Sequence, residues 1–277
     1  MGDVERGRSC APWFTHLSFS FSLLVLTSCS SIKPMVPPSS VPKELAAHLK
    51  PQKAESAKME YLLFVPTGYR GKAKKRWPLI FFLHGSGERG TDIWKVAIHG
   101  PPKELKNLDE FPFLIVSPQC PEGRFWSNDT LLALLEEVTR KYAVDTNRIY
   151  LTGLSMGGYG AWDLGLAFPE KFAALAPVCG GGETIGVVLS GREKPAAFKS
   201  LSVWAFHGEK DDVVPVEESQ RMVDALKKTG VAEVKLTVYP GVGHNSWTQT
   251  YSNPELYDWF LKHERKPQSL AKAPQKK

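Results

Sequence analysis

A chain of 277 residues, 42% apolar and 23% charged, has the composition of a globular protein and the length of one large or two small α/β domains. Its net charge of +6 would suit a nucleic-acid partner, but the last 16 residues alone hold a surplus of five positive charges. The remainder is close to balance, so no nucleic acid is expected as a partner, and residues 266–277, with Pro267, Gln268 and Pro274, read as a basic disordered tail.

Arg6 and Arg8 precede an apolar stretch from Leu17 to Leu26 that ends in Thr27-Ser28-Cys29-Ser30. A basic region, a short apolar core and small residues predict a signal peptide over residues 1–29 and hence export. The run is short for a membrane span. Leu26-Thr27-Ser28-Cys29 resembles a lipoprotein box, which would put a lipid anchor on Cys29 and hold the protein at a membrane, periplasmic or outer. Ordinary cleavage with secretion and a retained N-terminal anchor are the alternatives. Residues 30–57, with Pro34, Pro37, Pro38, Pro42 and Pro51, read as a Pro/Ser/Lys-rich tether to a folded domain over residues 58–265.

Within that domain Tyr61 to Val65 is an early strand, closed by Pro66-Thr67-Gly68. Pro78 to Leu83 and Phe113 to Val116 are continuous apolar runs, as strands covered on both faces require. A helix is predicted from about Asp129 to Tyr142, with Leu131, Leu135, Val138 and Tyr142 on one stripe. Ile149 to Thr152 is the next strand, followed by a helix to Phe168. Strands follow at Phe172 to Val178, Leu201 to Phe206 and Val234 to Tyr239. A helix opens at Pro215 and closes before Gly230, and a last one runs from Glu255 to about His263. The alternation predicts a mostly parallel sheet of about seven to eight strands with helices on both faces.

Of four cysteines, Cys10 and Cys29 belong to the leader. Cys120 and Cys179 end strands not expected to be neighbours, which predicts two free thiols rather than a disulfide. No CxxC pair and no histidine–carboxylate spacing suggests a metal, and no cofactor is expected.

The most informative segment is Gly153-Leu154-Ser155-Met156-Gly157 between the strand Ile149 to Thr152 and its helix. G-x-S-x-G at a strand-to-helix turn forces the serine into a strained conformation with its hydroxyl above the sheet edge. A serine hydroxyl needs a base, and the base an orienting carboxylate, following in the order Ser, acid, His. Of seven histidines only His207, His244 and His263 come after Ser155. His207 sits at a strand end where it shapes a turn, and His263 on the terminal helix, so His244, in the loop Pro240 to Asn245, is the expected base. The acid belongs to the loop Gly208 to Pro215, where Asp211 is expected and Asp212 is the alternative, or a helix cap. The backbone N–H groups of Met156 and Ser86 are the expected oxyanion donors.

His84-Gly85-Ser86-Gly87-Glu88-Arg89-Gly90, Ser117-Pro118-Gln119-Cys120-Pro121, Asp145 through Gly158 and Pro177 through Gly182 together resemble the bacterial secreted α/β-hydrolases of the phospholipase/carboxylesterase and feruloyl-esterase-like group, some members of which carry the label predicted peptidase. The resemblance covers roughly residues 58 to 265 and implies a carboxylic ester hydrolase of α/β-hydrolase fold, acting without a cofactor, with Ser155, Asp211 and His244 as triad. About twenty residues between Val178 and Leu201 leave no room for a large lid, so short-chain acyl esters or aromatic, feruloyl-type esters of small molecules or polysaccharides are the expected substrates. Trp94, Trp126 and Trp247 are candidates for an aromatic wall at the substrate, or for packing between loops. The competing readings are a serine peptidase and, more remotely, a non-catalytic binding lipoprotein.

Overall fold

The computed structural model describes residues 41–71, 74–105 and 111–265. The signal peptide, the lipid attachment at Cys29, the tether up to residue 40 and the basic tail therefore lie outside the described residues.

The described residues build an eight-stranded sheet: β1 Leu49–Ala54, β2 Met59–Phe64, β3 Trp77–Leu83, β4 Leu114–Pro118, β5 Val144–Leu154, β6 Ala174–Val178, β7 Ser202–Gly208 and β8 Glu233–Tyr239. Its order is β1-β2-β4-β3-β5-β6-β7-β8. β2 runs antiparallel to both β1 and β4, and every pairing from β4 to β8 is parallel. Successive side chains of a strand point to opposite faces. Leu79, Phe81 and Leu83 of β3 accordingly enter one apolar cluster while Ile80 and Phe82 enter the other. A strand covered on both sides must be apolar at every position, which is why β3 reads as an unbroken run.

Helices α3 Asn128–Lys141, α4 Met156–Ala167 and α7 Glu217–Lys227 supply the first cluster, through Leu131, Leu134, Leu135 and Val138, through Trp162, and through Met222, Val223 and Leu226. The second is closed by α8 Trp247–Ser252 and α9 Pro254–Leu261, through Tyr251, Leu256, Tyr257, Trp259 and Phe260. Each large apolar side chain so buried stabilises the fold by roughly 1.5–3 kcal/mol relative to exposure. Among the described residues no helix is long and apolar enough to cross a membrane.

One expectation is corrected here. Residues 43–54, assigned to the tether, form helix α1 Lys43–His48 and strand β1. Leu45 and Leu49 pack into the second cluster, and β1 pairs with β2 from Leu49↔Phe64 to Ala54↔Met59. Only the ends of β1 are buried, so an outer strand carrying Lys50, Pro51 and Lys53 looks like a linker in the sequence. Proline tolerates such an edge position because one side of the strand has no partner. Between β6 and β7, α5 Thr184–Glu193 and α6 Pro195–Ser200 take up the chain, with α5 packing on α4 and α7.

Candidate active site

The candidate residues leave the carboxyl ends of strands: Ser86 after β3, Ser155 after β5, Asp211 after β7 and His244 after β8. Parallel strands end together at that edge, which is where ligands bind in such sheets.

Ser155 stands between β5 and α4 with φ 52° and ψ −116°, a conformation costly for a residue with a side chain. Its amide donates to the Val178 carbonyl at 2.9 Å and its carbonyl accepts from the Tyr159 amide at 3.0 Å, so both sides of the turn are tied down. A Cβ on Gly153 would meet the Gly157 carbonyl, and a Cβ on Gly157 would meet the Leu83 carbonyl. Strand and helix approach this closely only because neither position carries a side chain.

The Ser155 hydroxyl donates to His244 Nε2 at 3.0 Å, and His244 Nδ1 donates to Asp211 Oδ2 at 2.8 Å. The Asp211 Oδ1 accepts from the amides of Val213 and Val214 at 3.0 and 2.9 Å. Burial alone would push the Asp211 carboxyl up, but the His244 hydrogen bond and the Val214 and Val213 amides outweigh it and hold the group below its usual range. Asp211 thus stays a carboxylate that can orient an imidazole. Asp212, the alternative acid, is exposed. His207 is fully buried, with Nδ1 at 2.7 Å from Ser219 Oγ and Nε2 at 2.8 Å from the Val214 carbonyl. It braces the acid loop, as expected from its position at the strand end.

Ser86 opens a short 3-10 turn, Ser86–Glu88, and Met156 is the first residue of α4, whose leading amides have no partner within the helix. Both line a cavity of about 540 Å³ with Phe125, Trp126, Tyr159 and Gly160. A second cavity, of about 500 Å³, backs onto the same Phe125 and Trp126. The three tryptophans part company. Trp126 lines the first cavity, its indole N–H donating to the His84 carbonyl at 3.2 Å. Trp247 stands edge-on to His244, ring centroids 5.3 Å apart. Trp94 is 4% exposed and packs in the second apolar cluster, so it is a core residue and not part of a substrate wall. Its place in a short 3-10 helix, Ile93–Ala97, turns it beneath the loop.

Four residues without a role in the sequence reading hold the loop that carries Ser86. Arg89 Nε donates to the Ser86 carbonyl at 3.0 Å and its Nη1 to the Arg124 carbonyl at 3.2 Å. Gln119 Nε2 donates to the carbonyls of Glu88 and Asp92 at 2.8 and 2.7 Å. His84 is buried, and burial pushes its pKa down to about 4. Glu88 lies between His84 Nδ1 and His99 Nε2, 3.8 Å from each, and burial pushes its carboxyl up. All but His99 belong to the motifs His84 to Gly90 and Ser117 to Pro121, which signalled them without saying what they touch. Cys120 and Cys179 are free and buried. In sheet order β3 and β5 separate the strands they follow.

An eight-stranded, mostly parallel sheet with a serine elbow, a histidine and an aspartate at its carboxyl edge defines an α/β-hydrolase. A family model described as Phospholipase/Carboxylesterase matches residues 111–253, a span that runs from β4 past His244. The chain belongs to this family of carboxylesterase-type hydrolases. It is 29% identical over 173 residues to a protein of Aspergillus terreus named Probable feruloyl esterase C, covering 60% of this chain and 59% of that one. It is 28% identical over 198 residues to the Bifunctional acetylxylan esterase/xylanase XynS20E of Neocallimastix patriciarum, 66% of this chain and 26% of that protein. Among solved structures, a thermostable esterase aligns with a TM-score of 0.64 at 34% identity, over 78% of this chain and 63% of its own. The chain thus spans less than two thirds of the length of each of these three proteins.

Proposed function

We propose that this protein is a serine carboxylesterase that forms its acyl-enzyme on Ser155. The observation that carries the reading is the unbroken relay from Ser155 Oγ to His244 at 3.0 Å and on to Asp211 at 2.8 Å, on a strained elbow. Ser155 Oγ attacks the ester carbonyl carbon while His244 Nε2 takes its proton, and Asp211 stabilises the imidazolium that results. The Ser86 and Met156 amides face the oxygen on which negative charge develops. His244 then gives the proton to the leaving alcohol, and water repeats the sequence to release the acid.

The substrate class proposed is a short-chain or aromatic acyl ester. The cavity beside Ser155, about 540 Å³ and walled by Phe125, Trp126, Met156 and Tyr159, suits one aromatic ring or a few carbons. Relatives named for feruloyl and acetylxylan esters support the same class, with the alcohol supplied by a polysaccharide. Export, with a lipid on Cys29, is part of the proposal on the strength of the N-terminal sequence.

The test is hydrolysis of p-nitrophenyl esters from acetate to palmitate, and of methyl ferulate, by the full chain beside Ser155→Ala. Turnover that peaks on short acyl groups or ferulate and falls by at least about a thousandfold in the folded variant is expected. Activity retained by Ser155→Ala would sink the proposal. Inactivity toward every ester by folded wild-type protein would equally overturn it.

A further inference from the structure

Among the described residues, Cys179, Asp211 and His244 form a group whose ligand atoms all lie within 4.8 Å of one another. Spacing along the chain hides this set, because its members leave the ends of β6, β7 and β8. We propose that the three residues form an inhibitory site for a soft divalent cation, zinc foremost, which disables Ser155 by taking Nδ1 of its base.

The donor set is a thiol sulfur, an imidazole nitrogen and a carboxylate oxygen, the three ligand types zinc uses. Zinc holds sulfur at about 2.3 Å and nitrogen or oxygen at about 2.0 Å, which sets tetrahedral ligand atoms roughly 3.3–3.5 Å apart. A pair at the 4.8 Å limit must therefore close by about an ångström, while His244 Nδ1 and Asp211 Oδ2, 2.8 Å apart, must part slightly to admit the ion. Two of the ligands are fixed. Cys179 is fully buried, sits at φ 41° and has its amide bonded to the Phe206 carbonyl at 2.8 Å. The Asp211 side chain is fully buried and anchored by two amides. His244 is the movable one, its side chain 19% exposed on a loop that contains Gly241 and Gly243. Displacement of that ring opens the way for the ion, and its return closes the site, with water as the fourth ligand.

Charge and protons balance without any redox step. Binding releases the Cys179 thiol proton to solvent, and the imidazole proton moves from Nδ1 to Nε2. An Nε2 that carries a proton cannot accept one from Ser155 Oγ, so the relay stops. Sulfur selects soft ions, whereas magnesium and calcium favour sites made of oxygen alone.

The inhibition arm of the test rests on the esterase reading; the binding arm does not. Hydrolysis of p-nitrophenyl acetate by the full chain is titrated with zinc, cadmium, magnesium and calcium chlorides, and bound zinc is counted by equilibrium dialysis. Expected are inhibition by zinc and cadmium alone, its reversal by EDTA, and a rise of at least about tenfold in the half-inhibitory zinc concentration for Cys179→Ala, each read against that variant's own metal-free rate. Cys120→Ser should match wild type. Cys179→Ala should bind one zinc fewer per chain, and should it not fold, His244→Ala read by dialysis alone should show the same loss. Undiminished inhibition and undiminished zinc in Cys179→Ala would overturn the proposal. Wild-type protein that binds the cysteine-dependent zinc yet never hydrolyses an ester would overturn the esterase reading and leave the metal site standing.

Discussion

The backbone amide of Cys120 donates to His84 Nε2 at 2.9 Å, which leaves His84 Nδ1 as the protonated nitrogen, 2.5 Å from the Gly85 carbonyl. Both ring nitrogens are thereby used by a neutral imidazole, and the ends of β3 and β4 are joined at the loop that carries Ser86. Trp126 stacks edge-on against the same ring, centroids 4.8 Å apart.

A pH effect on stability follows. Folding lowers the His84 pKa from 6.5 to about 4, so the unfolded chain binds the proton more readily. The stabilisation is complete above pH 6.5 and is lost as pH falls toward 4. Over that window it amounts to about 3 kcal/mol. Urea midpoints measured from pH 7 to 4 should drop more steeply for wild type than for His84→Gln; parallel curves would show that the ring is not buried neutral.

Asp211→Asn should lower kcat by about four orders of magnitude, because an amide can neither stabilise the imidazolium nor hold the Nδ1–H tautomer. Asp212→Asn, on an exposed side chain, should leave kcat near wild type. A rate profile with the two reversed would move the acid by one residue.

Phe125→Ala should separate substrates. Its ring is 76% exposed and belongs to the wall shared by the cavities of about 540 and 500 Å³, so truncation joins them without opening the core. KM for methyl ferulate should rise roughly fivefold, the worth of about 1 kcal/mol of aromatic contact, with kcat on p-nitrophenyl acetate little changed. Equal effects on both esters would place the aromatic group elsewhere.

Gly157→Ala should cost about 3 kcal/mol or more, since its new Cβ would sit 2.7 Å from the His84 carbonyl oxygen and closer still to that of Leu83. Both obstacles are backbone and cannot rotate aside. A thermal midpoint equal to wild type would mean that the elbow is looser than its contacts imply.

Ser155, Asp211 and His244 were legible because chain order prunes the choice: few histidines follow the serine, and each candidate sits just past an apolar run. The loop after β3 was legible only in part. Its motif residues stood out, yet the bonds from Arg89 to Ser86 and from Gln119 to Glu88 join segments about thirty residues apart or cross a turn, and spacing carries no record of such contacts. Trp94 lies in the short 3-10 helix Ile93–Ala97 and Trp126 in the loop before α3. Whether an indole faces a cavity or the core depends on the rotation of a short 3-10 turn, which no local pattern encodes.

By itself, the sequence determined the alternation of buried strands and amphipathic helices and the strained serine turn, because these depend on steric and hydrophobic rules that act over a few residues. It also determined the order in which the candidate catalytic groups emerge. Only the tertiary structure decided that residues 43–54 complete the sheet as β1, since an edge strand buries little and looks like a linker. Only it brought the Cys179 sulfur among the ligand atoms of Asp211 and His244, all within 4.8 Å, because three strands must first lie side by side before their loop residues can meet.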